Sequence, residues 1–139
     1  MPMTKKEIDR FLSQPHVAVV AVTAPDGHPH AVPTWYEYRN GTVTFHTDKS
    51  AFKYTCLSHD PFVTLVVDTK QPPYKAVILK GRARMVEKID DQRLQRMAAA
   101  YLGPKDGLAY ARSLKGSKVV VVSLRAKRQI SWDYSRERP

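Results

Sequence analysis

Three apolar runs constrain the fold more than any other feature of the sequence. They are HVAVVAVTA (residues 16–24), PFVTLVVD (residues 61–68) and VVVVSL (residues 119–124). Each run is rich in β-branched residues, so each predicts a strand. The first two are also too continuous for a strand with one solvated face. We therefore expect these two strands to be buried on both faces, deep in a sheet or barrel.

Turn residues separate the first run from the next strands. Residues 25–27, PDG, predict a turn, and Asn40-Gly41 is the strongest short hairpin signal in the chain. The segment between them, HPHAVPTWYEYR, is then the middle one of three antiparallel strands. Pro33 lies in this segment and has no N–H group to donate. We expect the strand to be interrupted or at a sheet edge there, which leaves backbone groups free for a ligand.

The rest of the chain adds two long strands and several short helices. Residues 75–88 predict a strand in which Gly81 marks a bulge or a close approach by another group, and residues 118–130 predict the last strand. Capping residues and helical spacing predict four helices: after the capping box of Thr4 and Glu7, over residues 50–59, after Asp90, and around residues 108–114. The resulting fold class is mainly β with short helices, a six-stranded antiparallel barrel formed by a single domain over residues 1–139.

The overall charge favours anionic partners. The 23 basic and 13 acidic residues give a formal charge of +10, which suits phosphorylated cofactors, nucleic acid or membrane surfaces. No apolar run approaches the roughly 18 residues of a spanning helix, and the N-terminus lacks the apolar core of a signal peptide. The single cysteine, Cys56, cannot form an internal disulfide. These features predict a cytoplasmic protein that does not cross a membrane.

An anion site fits the stretch from Val43 to Pro61, where a predicted strand ends in a polar turn that opens a helix. A helix start gathers unpaired N–H groups, which favour a phosphate. Lys49 and Lys53 are four residues apart and share one helical face, with the hydroxyls of Thr47 and Ser50 beside them. Asp48 and Ser50 are residue types that cap helices, and such a cap explains the same pattern, so both interpretations stay open.

The sequence shows no self-contained catalytic apparatus. Neither a nucleophile motif nor a phosphate-binding glycine loop occurs, so the catalytic residues are unknown. His28, His30 and His46 can imitate a metal site, but no cysteine or carboxylate stands at a supporting spacing. We interpret these histidines as polar residues of strand edges and predict no metal site.

Three stretches read together resemble a known family. They are AVPTWYEY (residues 31–38), residues 43–68, and ISWDYS (residues 130–135). In their order and spacing they are similar to the pyridoxamine 5'-phosphate oxidase-like family, in particular its small F420- or FMN-dependent branch. The resemblance covers nearly the whole chain. It implies a split β-barrel of the FMN-binding type, a homodimer, and FMN or the deazaflavin F420 bound in grooves between the subunits.

The resemblance also implies which residues hold the cofactor. Three groups are expected: Thr47, Lys49, Ser50 and Lys53 at the cofactor phosphate; Val32, Pro33, Thr34 and Trp35 along the ring; and Lys80 and Trp132 reaching the cofactor from the other subunit. Thr55 and Cys56 stand where many deazaflavin-binding relatives have a basic residue and an asparagine. The choice between F420 and FMN therefore stays open.

The resemblance implies an oxidoreductase that transfers hydride to or from a small organic substrate. An alternative is a non-catalytic carrier with the same site, which sequence does not distinguish from an enzyme. A third hypothesis is a basic barrel that binds single-stranded nucleic acid through Trp35, Tyr36 and Tyr38. Strand alternation splits these aromatic residues between two faces, so we expect no nucleic-acid partner.

Overall fold

The computed structural model describes residues 2–88 and 90–136. Its helices are α1 (Lys5–Leu12), α2 (Phe52–His59), α3 (Asp91–Leu102) and α4 (Pro104–Ser113). Its strands are β1 (Ala18–Thr23), β2 (Pro29–Thr34), β3 (Glu37–Arg39), β4 (Thr42–Asp48), β5 (Phe62–Asp68), β6 (Lys75–Val86), β7 (Val119–Leu124) and β8 (Arg128–Asp133), and a 3₁₀ turn spans Tyr134–Arg136.

The strands form one antiparallel sheet that curls into a split barrel. Their order is β2-β1-β5-β6-β7-β4-β3, and β8 pairs with β6 beside this path. The two end strands, β2 and β3, are consecutive in the chain and are joined only by Trp35 and Tyr36. Because so short a link cannot span a flat sheet of seven strands, the two edges must come close together. The mainly β split barrel predicted from the sequence is confirmed.

The strand count differs from the predicted six, because two predicted strands are each divided in the structure. The segment after the first turn breaks at Trp35, just beyond Pro33, and becomes β2 and β3 at opposite ends of the sheet. The last segment bends between Leu124 and Arg128, so β7 pairs with β4 and with the end of β6, whereas β8 pairs with the beginning of β6. The prediction that the strand is interrupted or at an edge near Pro33 is confirmed.

Gly81 lies where the chain bends from β7 toward β8. A Cβ atom at this position would lie 3.0 Å from Leu124 Cδ1 and 3.3 Å from the Arg125 carbonyl oxygen. This confirms the predicted close approach by another part of the chain. The absence of a side chain lets β6 pair with two successive partners along its length.

The barrel interior holds the largest buried side chains. Phe45, Leu65, Leu79 and Leu124 are almost completely buried there. Helix α1, which begins with the predicted capping box of Thr4 and Glu7, contributes Phe11 and Leu12, and α2 contributes Cys56 and Leu57. The two short helices therefore complete the core that the curled sheet leaves open.

The prediction that β1 and β5 are buried on both faces is wrong for the single chain. In both strands every second residue is fully buried, and the residues between are only half-buried. The half-buried row crosses several strands, because Val19 pairs with Val66, Val66 with Ile78, and Ile78 with Ile130. The apolar continuity of the sequence thus corresponds to a second apolar face on the outside of the barrel.

Helices α3 and α4 form a hairpin outside the barrel. Its buried residues are Leu94, Met97 and Ala98 of α3 and Gly107 of α4. A double contact fastens it to β3, because Nε and Nη2 of Arg96 each lie 3.1 Å from an oxygen of Glu37. Within the described residues, none of the helices combines the length and apolar character needed to cross a membrane.

Candidate functional site

The turn between β4 and α2 differs from the predicted cap. Helix α2 begins at Phe52, and its N-cap residue, Ala51, offers no side-chain hydrogen bond. The Asp48 carboxylate instead accepts hydrogen bonds from the Ser50 backbone N–H at 2.8 Å and the Ser50 hydroxyl at 2.7 Å. These bonds lower the pKa of Asp48. The two expected capping residues therefore bind each other, and the start of α2 has no side-chain cap.

Lys53 lies in the first turn of α2 and is half-buried. Its Nζ is 5.4 Å from the centroid of the Phe45 ring, and burial lowers the pKa of the ammonium group. The described part of the chain contains no ion pair to Lys53. A half-buried cation beside an uncapped helix start is a favourable place for an anion, because both groups gain from a negative charge.

Two of the other residues predicted to bind the phosphate, Lys49 and Thr47, already have contacts within the chain. Lys49 Nζ lies 2.7 Å from Glu87 Oε1, and this partner raises the pKa of Lys49. Thr47 is only 4% exposed, and its hydroxyl oxygen lies 3.4 Å from the Asp48 carbonyl oxygen. The structure thus brings all four predicted residues into one strand-turn-helix segment, but it leaves Lys53 as the cation without a carboxylate partner in the described residues.

The predicted ring-binding residues lie on and just after β2. Val32, Pro33 and Thr34 pair with β1 on one side, and on the other side β2 is the end of the sheet. An edge strand offers backbone groups that the sheet does not pair. Helix α2 contacts this strand: the rings of His30 and Phe52 meet edge to face, with centroids 4.9 Å apart. The structure therefore places the β2 edge beside the start of α2.

Trp35 packs against the helical hairpin. Its ring is stacked on Tyr101, with centroids 4.8 Å apart and planes 6° apart, and Tyr110 lies 5.3 Å away. The Tyr101 hydroxyl donates to the His16 carbonyl oxygen at 2.6 Å and accepts from the Tyr36 N–H at 3.2 Å. Burial raises the pKa of Tyr101. These contacts couple the end of the ring-binding stretch to α3, a link that sequence analysis missed.

Lys80 and Trp132 lie apart from the other predicted residues within one chain. Lys80 is on β6, cross-strand from Thr64 and Arg128, and Trp132 is on β8, cross-strand from Ala76. Strand β6 is three places from β2 in the sheet order. Both residues are half-buried on the outer face that carries Ile78 and Ile130. In a single chain the structure therefore does not bring them to the edge of β2.

His46 is the most unusual titratable residue near the turn. It is on β4, one residue before Thr47, and both its ring nitrogens are enclosed without a hydrogen-bond partner among the described residues. Burial is the main cause that lowers the pKa of His46 from its ordinary value of 6.5, and the charge of Arg93 adds to it. No group of three or more potential metal ligands occurs within residues 2–88 and 90–136.

Comparison with known proteins identifies the family. Residues 4–131 match the family model described as pyridoxamine 5'-phosphate oxidase. The chain belongs to this family. The match covers β1 to β7 and most of β8, and with them every candidate site residue except Trp132. A search of curated protein sequences gives no match.

Solved structures of similar fold support the assignment. A conserved hypothetical protein from Mycobacterium tuberculosis is 26% identical, with a TM-score of 0.79 over 95% of this chain and 86% of that one. A protein described as an F420 reductase is 19% identical, with a TM-score of 0.66 over 88% and 94% of the two chains. A FAD-binding protein from Mesorhizobium loti is 22% identical, with a TM-score of 0.68 and coverage of 94% of both chains.

Proposed function

We propose that the protein is an oxidoreductase that binds F420 or FMN and reduces or oxidises a small organic substrate. The observation that carries this proposal is the uncapped start of α2 with the half-buried Lys53, lying beside the open edge of β2. The residues fit such a cofactor, because an anion-binding end and a strand edge with free backbone groups adjoin. Family membership and neighbours named for F420 and FAD support the same class of ligand.

Each part of the site has a separate task. The backbone N–H groups at the start of α2 and the Lys53 ammonium hold the phosphate, and the Ser50 hydroxyl joins them when it exchanges Asp48 for the ligand. Lys49 adds charge when it exchanges Glu87 for the ligand, and Thr47 supports the turn from β4. The backbone of Val32, Pro33 and Thr34 orients the ring, with Trp35 fixed at its end by Tyr101. The bound cofactor supplies the hydride chemistry, so the chain needs no nucleophile of its own.

A second copy of the chain completes the proposed site. The outer row of Val19, Val66, Ile78 and Ile130 is an apolar sheet face, and Ile130 is 37% exposed. Covering this face in a homodimer removes the apolar surface from water. Lys80 and Trp132 share the face, so in the proposed dimer they meet the partner, and the family resemblance implies that they reach its cofactor there. This accounts for their distance from β2 within one chain.

The colour of the purified protein tests this proposal. Protein isolated from a cytoplasm that makes both cofactors is expected to carry one of them, and flavin and deazaflavin absorb at different wavelengths. Turnover of a substrate panel by the loaded protein then separates an enzyme from a carrier. Colourless protein that takes up neither cofactor on mixing would refute the proposal.

Removing the partner of Lys49 offers a smaller test. In the Glu87→Gln variant Lys49 loses its ion pair, so its charge becomes available to a bound phosphate. We expect FMN or F420 affinity to rise by no more than about fivefold, because exposed ion pairs are weak, and the gain should vanish at high salt. Titration at low and high salt measures the effect, and weaker binding at low salt would contradict this role for Lys49.

A further inference from the structure

The two ring nitrogens of His46 are enclosed without a hydrogen-bond partner within the described residues, which destabilises the folded protein. His46 shares a face of β4 with Thr44, whose cross-strand neighbour Glu37 contacts Arg93 and Arg96 of α3, so its ring lies on the side of the sheet where the hairpin docks. The residue cross-strand from it on β7 is Val121, which offers no polar side chain. A buried polar ring without hydrogen bonds is tolerated when neutral and becomes much more costly when charged. Protonation therefore disfavours the enclosed position of His46.

The charged groups around His46 have opposite effects on its protonation. The groups that act on His46 are Arg93 on α3, Asp90 at the N-cap of α3, Glu37 on β3 and Lys53 on α2. Arg93 and Lys53 oppose a positive charge on the ring, and Glu37 and Asp90 favour one. Glu37 is already occupied, because it contacts Arg96 at 3.1 Å and Arg93 Nε at 3.6 Å. A protonated His46 must compete with these two arginines for the same carboxylate.

We propose that protonation of His46 releases the α3–α4 hairpin from the sheet and so makes the cofactor site sensitive to acid. Release exposes the imidazolium to water and removes it from Arg93. It also separates Tyr101 from Trp35 and from the Tyr36 backbone, which are the contacts that hold the end of the ring-binding stretch. The hairpin is thus a two-state element that the charge of one half-buried histidine biases.

The direction of the pH effect follows from proton linkage. The docked state holds His46 with a lowered pKa, and the released state returns it toward about 6.5, so the released state binds more protons. Docking is therefore fully favoured above about pH 6.5 and weakens as the pH falls below that value. For one proton, the equilibrium constant for release rises by at most about tenfold per pH unit.

Hydrogen exchange in cofactor-free protein tests the inference. Between pH 7 and 5, protection factors of α3 amides are expected to fall by up to about tenfold per pH unit, while those of Val120 and Val122 in β7 stay constant. In a Trp132→Phe background, Trp35 fluorescence should report the same transition as Tyr101 leaves its ring. The His46→Leu and His46→Gln variants should abolish both changes. The His28→Gln variant, altered in an exposed turn, should retain them.

Three results would overturn the inference. They are a transition that persists in both His46 variants, equal loss of protection in α3 and β7, and an α3 that stays protected while the His46 ring titrates by NMR. The effect on the cofactor rests on the proposed function, but the hairpin release does not. If neither FMN nor F420 binds while the hairpin still opens on protonation of His46, the proposed function fails and the switch stands.

Discussion

Replacing Lys53 with methionine is expected to weaken the binding of FMN or F420 by about 1.5–3 kcal/mol, roughly 10- to 150-fold. Methionine keeps the apolar part of the side chain over Phe45 but removes the charge that the proposed phosphate pairs with. The folded protein should not lose stability, because burial lowers the pKa of Lys53 and so already opposes its charged form. Calorimetric titration of wild type and variant measures the difference.

A matched control distinguishes the effect of the Lys53 charge at the site from the effect of the protein's net charge on affinity. Lys5 lies on α1 with its side chain 89% exposed, so Lys5→Met makes the same change in net charge at the surface. We expect cofactor affinity in this variant to stay within about twofold of wild type, because a distant exposed charge is screened by salt. If the Lys53 and Lys5 variants bind the cofactor with equal affinity, Lys53 does not take part in cofactor binding.

Replacing Gly107 with alanine is expected to destabilise the protein by about 2 kcal/mol. A Cβ atom there would lie 2.5 Å from the Ala99 nitrogen and 2.6 Å from the Ala99 Cα, both in the backbone of α3. The helices must then separate, at a cost of about 3 kcal/mol, whereas the higher helix propensity of alanine returns only about 1 kcal/mol. Chemical unfolding measures the change in the free energy of unfolding.

The reverse exchange on the same helix is the control. Ala109 is exposed on α4, so Ala109→Gly should cost only the propensity difference of about 1 kcal/mol. The Gly107 variant should also lose the stacking of Trp35 on Tyr101, because the hairpin carries Tyr101. A Gly107→Ala protein as stable as wild type would contradict the close packing of α3 on α4.

Local patterns in the sequence predict much of this fold. The capping box at Thr4, the interruption near Pro33 and the close approach at Gly81 all depend on neighbouring residues or on one residue's own geometry, and all are confirmed. The turn after β4 shows the limit of such patterns. Asp48 and Ser50 both have the chemistry of caps, but they bind each other, and spacing alone does not reveal which partner each chooses.

Long-range contacts explain what the sequence does not show. Tyr101 has the spacing of a core residue in α3, and nothing near it indicates that its hydroxyl reaches His16 and Tyr36. The apolar runs likewise predict burial on both faces, although in one chain only the inner face is covered. A pattern reports that a face is apolar but not whether the same chain or a second copy covers it.

Titration of cofactor-free protein with FMN, riboflavin and F420 tests the central claim, the phosphate site at the start of α2 beside the ring-binding edge of β2. We expect FMN or F420 to bind with a dissociation constant below about 1 μM. Riboflavin, which has the same ring as FMN but no phosphate, should bind at least about tenfold more weakly than FMN if FMN is the ligand. If neither FMN nor F420 binds more tightly than about 1 μM, the account is wrong.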